Sequence, residues 1–288
     1  MIVVKLMGGL GNQMFQYALG RNLAHRNNAV LKLDLGFFQN YGTGVPRQYD
    51  LDIFDIHPVF ASEAEVFRLR KRSTNELADR ILNRVIGLKR TYIREPHFHF
   101  SPEILDLPDN IYLEGYWQTL RYFAEIEDLI RKDFTFKEEM SPLSRALLEE
   151  IEGSNSICVN VRRGDFVTND FHGAKGVDYY KQAEEVIRER VSDESYYVFS
   201  DDIDWCRENL RFEAPTEFVS HEYAGAKFQD YLRLMSACRH FVIPNSSFAW
   251  WAVWFNRDPD KTVIAPKVWF NDPTWDTSDL TPASWIRL

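Results

Sequence analysis

The sequence has few cysteines and no spacing that would cross-link them or bind a metal. Cys158, Cys206 and Cys238 are far apart, form no CxxC pair, and lie in or beside apolar stretches. Reducing compartments keep such cysteines free, and a buried thiol packs as a small hydrophobic group. We therefore expect three buried free thiols in a reducing compartment, which excludes a disulfide-stabilised secreted domain.

The sequence also lacks long apolar runs and an excess of basic residues. No apolar segment reaches the roughly 20 residues of a membrane-spanning helix, and the first residues lack the leading charges of a signal peptide. The 43 Asp and Glu outnumber the 34 Lys and Arg, for a net charge of −9, whereas a nucleic-acid-binding protein needs a basic footprint. These absences predict a cytoplasmic protein with no membrane span and no nucleic-acid partner.

One segment runs against the overall charge. Residues 68–94 contain nine Lys or Arg and only two acidic residues, with apolar residues at helical spacing. A solvated helix face is the simplest interpretation. The alternatives are a cover over an anionic substrate and a peripheral contact with a membrane surface.

The order of apolar and glycine-rich segments predicts two α/β halves. The first elements are a strand (2–7), a Gly-rich turn (8–13), a helix (14–26) and a second strand (30–34). This βαβ opening implies a parallel sheet, and a second strand–helix series follows in the C-terminal half. We therefore predict two Rossmann-like domains, 1–138 and 139–288, facing a cleft.

The strongest local pattern is an apolar strand that ends in Arg162, Arg163, Gly164 and Asp165. Ligands of open α/β sheets bind at the carboxyl ends of the strands, and guanidinium groups match phosphate oxygens in pairs. The pattern indicates an anion site. The alternative is a salt bridge between Arg163 and Asp165 at the strand end.

The Gly-rich turn offers a different function. Residues 8–11 let the backbone approach a ligand closely at a helix N-terminus. A dinucleotide fingerprint requires a third glycine where this sequence has Met14, although Asp34 stands where a ribose-binding acid would lie. A nicotinamide-dependent oxidoreductase is therefore an alternative hypothesis.

Two further strand ends carry polar residues. Asp201 and Asp202 follow an apolar strand and would bind a ribose or base, or cap the next helix. A metal site lacks a third ligand there. Asn245, Ser246 and Ser247 stand before an aromatic helix, where they would hold phosphate or cap that helix.

Seven segments together resemble the α-1,2-fucosyltransferases. In chain order they are residues 8–17, 115–118, 161–165, 199–202, 234–238, 245–251 and 264–267. The resemblance implies a GT-B-like fold that binds GDP-L-fucose mainly on its second half. It also implies inverting, metal-independent transfer of fucose, without a cofactor, to O2 of a galactose-terminated oligosaccharide.

The resemblance also implies roles for individual residues. Arg162 and Arg163 would hold the diphosphate and stabilise the charge that develops on departing GDP. Asp165 is the first candidate for the base that takes the acceptor proton, and Asp170 is the second. The remaining expected donor-site residues are Gly11, Asn12, Asn160, Asp201, Asp202, Asp230, Asn245, Ser246 and Ser247.

The chain departs from the family at Asn160, where the usual residue is His. Asn donates and accepts hydrogen bonds but cannot carry a proton between pH 5 and 8. We interpret the position as a hydrogen-bonding one, and we expect Asn160→His to retain activity. The alternative is a non-catalytic sugar-nucleotide-binding protein.

Overall fold

The computed structural model describes residues 1–39, 46–70 and 91–288. The chain divides into two compact units. The first comprises residues 1–135 with 278–280, and the second comprises residues 136–277 with 281–288. Most of the basic segment, including its apolar stripe, lies outside the described residues.

The first unit is built on a parallel sheet with the strand order β2-β1-β4-β3. Its described strands are β1 (Ile2–Lys5), β2 (Leu31–Asp34), β3 (Tyr92–Arg94) and β4 (Ile111–Glu114). Its described α-helices are α1 (Leu10–Arg26), α2 (Gly36–Gln39), α3 (Glu63–Arg70) and α4 (Glu127–Asp133). Short 3-10 helices span Leu51–Ile53, Pro102–Asp106, Leu120–Tyr122 and Ala124–Ile126.

Helix α1 begins earlier than the sequence predicted. Gly9 is its N-cap, and the Gly9 carbonyl accepts bonds from the N–H groups of Asn12 and Gln13. The turn therefore contains only Gly8 and Gly9, and the predicted turn residue Gly11 lies in the first helical turn. Gly8 has φ of +76°, and a Cβ there would lie 2.4 Å from Nδ2 of Asn12. Only glycine fits this position without strain.

The second unit is built on a larger parallel sheet with the strand order β10-β9-β8-β5-β6-β7. Its described strands are β5 (Asn155–Val161), β6 (Glu194–Ser200), β7 (Thr216–Phe218), β8 (His240–Val242), β9 (Val263–Ala265) and β10 (Ile286–Arg287). Strand β5 lies between β6 and β8 and is buried from its second residue onward. Burial on both faces explains its nearly continuous apolar sequence.

The helices of the second unit follow the predicted order. They are α5 (Pro142–Glu152), α6 (Val177–Arg188), α7 (Ile203–Asn209), α8 (Gln229–Ala237) and α9 (Ser247–Phe255), with 3-10 helices at Gly164–Phe166 and His221–Tyr223. Ser141 caps α5 by accepting a bond from the Ser144 N–H, and Pro142 occupies the first helical position. The tryptophans of α9 are buried, so its aromatic run is core.

The predictions for the cysteines and for the basic segment have different outcomes. The three cysteines are buried and free, as expected. The end of the basic segment is strand β3 rather than helix, because Tyr92, Ile93 and Arg94 pair in parallel with β4. Within the described residues, no helix is both long and apolar enough to cross a membrane.

Candidate active site

The candidate site lies at the carboxyl ends of β5 and β6. These strands pair in parallel, with Val161 opposite Ser200. Residues 162–165 and 201–202 therefore leave the sheet side by side. The register of two neighbouring strands thus brings together two motifs that are about forty residues apart in the chain.

Arg162 joins the two motifs. Its Nη2 donates to Oδ1 of Asp165 at 2.5 Å, and its Nη1 lies 2.8 Å from Oδ2 of Asp201. Its guanidinium carbon also lies 5.3 Å from the ring centroid of Phe166. The side chain is 26% exposed, so it is positioned by its neighbours while still reaching solvent.

Arg163 is held in a different way. Its guanidinium carbon lies 3.7 Å from the ring centroid of Trp205 on α7, and its Nε donates to Oδ2 of Asp202 at 3.3 Å. Its backbone N–H donates to Oδ1 of Asp201 at 2.9 Å. Stacking on an aromatic face and pairing with a carboxylate together fix its orientation.

Gly164 is needed because the two motifs are so close. A Cβ at this position would lie 2.4 Å from Oδ2 of Asp201, the atom that faces Arg162. Any larger residue would therefore displace the Asp201 carboxylate.

The ion pairs correct one sequence interpretation. Asp165 pairs with Arg162, whereas Arg163 pairs with Asp202, so the alternative of an Arg163–Asp165 salt bridge is wrong. The sequence motif suggested an anion site formed by two arginines. Three carboxylates already face these two guanidinium groups, so an incoming anion must share the guanidinium groups with them.

Asp202 also has the capping role that the sequence allowed. Its Oδ1 accepts a bond from the Trp205 N–H at the start of α7. Its own N–H donates to Oγ of Ser200 at 2.9 Å. Asp202 therefore stabilises the helix that carries Trp205, the residue on which Arg163 stacks.

Asn160 and Asp230 make internal contacts. The Asn160 amide donates to the Phe199 carbonyl at 3.1 Å, and Asn160 is 8% exposed. Asp230 is almost fully buried, pairs with Arg233 at 3.2 Å and accepts a bond from the Ser141 N–H at 3.3 Å. Both positions have structural partners in the chain itself.

Residues 245–247 lie at the start of α9. Oγ of Ser246 accepts a bond from the Ala249 N–H and caps the helix, and Ser247 is its first residue. Asn245 is 2% exposed, and its Nδ2 donates to the carbonyls of His172 and Trp269 at 2.7 and 2.9 Å. This amide joins the segment after the arginine motif to the segment after β9.

Asp170 lies on an exposed part of the segment that follows the motif. Its backbone carbonyl accepts a bond from Nδ2 of Asn271 at 2.8 Å. No hydrogen bond or ion pair of its carboxylate to another described residue is present. Asp170 thus differs from Asp165, whose carboxylate is committed to Arg162.

The predicted residues of the first unit belong to a separate cluster of amides. Gly11 is buried in α1. Oδ1 of Asn12 accepts a bond from Nε2 of Gln118 at 2.7 Å. Gln16 joins the ends of two strands, because its Oε1 accepts from the Met7 N–H and its Nε2 donates to the Gly115 carbonyl. The amides of this motif therefore fasten the turn to the sheet edge.

Asp34, the acidic residue on which the nicotinamide hypothesis depends, is bound by groups of the protein itself. Asp34 accepts bonds from the Tyr112 hydroxyl at 2.5 Å and from the Gly36 N–H at 2.9 Å. It is buried, and each carboxylate oxygen has a partner. Asp34 therefore has a structural role rather than that of a ribose ligand.

Sequence reasoning missed Glu95, which directly follows β3. Its carboxylate oxygens accept bonds from the N–H groups of Tyr116 and Trp117 at 2.7 and 2.8 Å. Trp117 has φ of +58°, which is uncommon for so large a residue. Burial raises the pKa of Glu95 to about 7. A carboxylate facing two backbone N–H groups has no local sequence signal, because its partners are more than twenty residues away.

The two units, each built on a parallel sheet, indicate the fold class of the protein. The chain is similar to the structure of an Arabidopsis thaliana FUT1 mutant in complex with GDP, with a TM-score of 0.51 and 10% identity over 95% of this chain and 72% of that one. This likeness supports the GT-B fold of glycosyltransferases.

The sequence comparison narrows this class. The profile of glycosyl transferase family 11 matches residues 60–288, and the chain belongs to this family. The protein is therefore a glycosyltransferase.

Curated relatives extend over nearly the whole chain. An Escherichia coli alpha-1,2-colitosyltransferase is 30% identical over 100% of this chain and 98% of its own. The Escherichia coli O-antigen biosynthesis glycosyltransferase WbnK is 31% identical over 98% of this chain and 99% of its own. The Homo sapiens galactoside alpha-(1,2)-fucosyltransferase 1 is 25% identical over 86% of this chain and 63% of its own.

Proposed function

We propose that the protein transfers L-fucose from GDP-L-fucose to O2 of a galactose at the end of an oligosaccharide. The supporting observation is Arg162, which bridges Asp165 and Asp201 at the carboxyl edge of the second sheet. Names of its relatives support the α-1,2 linkage, and one of them is a galactoside fucosyltransferase.

A second donor has specific support. The colitosyltransferase relative matches the full chain, and colitose is L-fucose without its 3-hydroxyl. GDP-colitose is therefore the alternative donor. The two donors share the GDP group and the 6-methyl group, so the same diphosphate site serves either one.

In this proposal Arg162 binds the diphosphate. A guanidinium group carries five N–H donors, so the ion pairs to Asp165 and Asp201 leave donors for phosphate oxygens. Charge builds up on GDP as the bond to the sugar breaks, and a preorganised guanidinium stabilises that charge. We propose that this replaces a metal ion and that no cofactor takes part.

The acceptor hydroxyl must lose a proton as the new bond forms. A base contributes to this step when it lies within hydrogen-bond reach and has an available lone pair. The exposed carboxylate of Asp170 meets the second condition better than Asp165, which is committed to Arg162. We therefore assign Asp170 as the base and Asp165 as the residue that orients Arg162.

The test is release of GDP from GDP-fucose and from GDP-colitose in EDTA, with and without lactose. We expect lactose-stimulated release from GDP-fucose that survives EDTA and collapses in Arg162→Ala. The matched control is Arg188→Ala, which removes an arginine that is 53% exposed on α6 and outside the site.

Each other result has a defined meaning. Turnover of GDP-colitose alone would change the donor and keep the linkage. GDP binding without turnover on any galactoside would favour the non-catalytic sugar-nucleotide-binding alternative.

A further inference from the structure

Two polar atoms beside the candidate site are buried and have no hydrogen-bond partner among the described residues. They are Nδ1 of His172 and Oδ1 of Asn245. Folded proteins pair the great majority of their buried polar groups, so an exception indicates a missing partner such as a ligand or a water. Neither residue is needed to explain how Arg162 binds a diphosphate.

The orientation of the Asn245 amide is fixed by its neighbours. Its Nδ2 donates to the carbonyl oxygens of His172 and Trp269 at 2.7 and 2.9 Å. Carbonyl oxygens only accept, so the amide nitrogen must lie on this side. The unpartnered atom is therefore the oxygen, and its missing partner must be an O–H or N–H donor.

His172 lies close to the arginine motif. Its ring stacks on Phe166 with a centroid distance of 4.5 Å and an interplanar angle of 8°. Arg162 lies against the same Phe166 ring, at 5.3 Å from its centroid. Burial lowers the pKa of His172, so the imidazole is neutral near pH 7 and Nδ1 donates or accepts according to its tautomer.

We propose that Nδ1 of His172 and Oδ1 of Asn245 bind hydroxyl groups of the donor sugar. A hydroxyl both donates and accepts, so it matches an amide oxygen and an imidazole nitrogen equally well. The sugar is bonded to the diphosphate, and both His172 and Arg162, the residue proposed to bind the diphosphate, lie against the Phe166 ring. Neither polar atom is accessible to solvent, so binding requires a local shift of the surrounding aromatic side chains.

This inference rests on the proposed function. Two variants separate the packing of the His172 ring from the hydrogen bond of its Nδ1 atom. His172→Phe keeps a ring that can stack on Phe166 but removes Nδ1. His172→Asn removes the ring but keeps a polar atom near the position of Nδ1. The dissociation constants of GDP and GDP-fucose are measured for both variants and the wild type, together with kcat/KM for GDP-fucose and GDP-colitose.

We expect His172→Phe to weaken GDP-fucose binding about tenfold, the loss of one good hydrogen bond, with GDP binding unchanged. His172→Asn retains most of the GDP-fucose affinity. A kcat/KM loss restricted to GDP-fucose assigns the 3-hydroxyl to His172, and an equal loss with GDP-colitose assigns another hydroxyl; both results support the inference.

Other results overturn the inference. An unchanged GDP-fucose affinity in His172→Phe means that a water or no group occupies the site. A stronger defect in His172→Asn than in His172→Phe means that His172 acts only through ring packing. A wild type that binds neither GDP nor GDP-fucose contradicts the proposed function itself.

Discussion

The carboxyl edges of the two sheets are built from different chemistry. In the first unit, side-chain amides fasten a glycine turn to the strand ends, as Gln118 does with Asn12 and Gln16 does with the Gly115 carbonyl. In the second unit, Arg162 and Arg163 form ion pairs with the carboxylates that follow β5 and β6. Both edges have the parallel topology that places ligands there.

This difference suggests a division of labour. Amides and backbone groups suit the hydroxyls of an uncharged glycan, whereas guanidinium groups suit a diphosphate. We therefore expect substitutions at the second edge to change donor binding. The reaction also needs a proton acceptor. We expect the largest effect on turnover when this group is removed.

Asp170→Asn should have the largest effect on turnover. Loss of a general base lowers kcat by about 10²- to 10⁴-fold, and GDP affinity should stay the same because Asp170 contacts neither arginine. Asp165→Asn should instead weaken GDP binding, since Arg162 loses a partner at 2.5 Å. Kinetics and calorimetry on the two variants separate these roles. The opposite pattern would make Asp165 the base.

Gly164→Ala should have an intermediate effect at the charged edge. The added Cβ would lie 2.4 Å from Oδ2 of Asp201, so the carboxylate must move away from Arg162. We expect kcat/KM for the donor to fall about tenfold with little change in unfolding temperature, because the displaced atom ends a side chain. The matched control is Gly176→Ala, where an added Cβ meets no atom within 4 Å. Equal effects of the two substitutions would contradict this explanation.

Glu95→Gln tests the first edge through stability. The pKa of Glu95 is raised to about 7 by burial, above that of the unfolded chain. Its contribution to stability is therefore complete below about pH 4.5 and is lost as the pH rises through 7.

The measurement is urea unfolding between pH 4.5 and 7.5. The wild type should lose up to about 3 kcal/mol of unfolding free energy relative to Glu95→Gln over this range. Parallel curves for the two proteins would show that Glu95 is not titrating in this window.

Asn160→His should have the smallest effect. The Asn160 amide donates to the Phe199 carbonyl, and an imidazole N–H can make the same bond, so most of the turnover should remain. Asn160→Leu cannot donate and should destabilise the fold by about 1–3 kcal/mol. A severe loss of turnover in Asn160→His would contradict a purely hydrogen-bonding role.

Local patterns were enough to predict much of the fold. The Ser141-Pro142 start of α5 and the apolar run of β5 carry their own signals. The start of α1 was placed too late, because Gly11 and Asn12 look like turn residues while the Gly9 carbonyl already accepts helical bonds. Tyr92–Arg94 was placed in a helix because pairing with β4 is not visible in its own sequence.

In the candidate site, too, some contacts could be predicted from the local sequence and others could not. Arg162 and Asp165 are three residues apart, so the motif itself shows that they can meet. The bond of Gln118 to Asn12, the two N–H bonds of Glu95 and the stacking of His172 on Phe166 depend on how the chain folds back. Sequence spacing therefore identified the charged groups but not most of the residues that orient their surroundings.

Binding of GDP and of guanosine to the wild type and to Arg162→Ala tests the central claim most directly. If Arg162 holds the diphosphate, the variant should lose at least about a hundredfold in GDP affinity and nothing in guanosine affinity. Equal losses for both ligands, or an unchanged affinity for GDP, would contradict the assignment of the donor diphosphate to the charged edge.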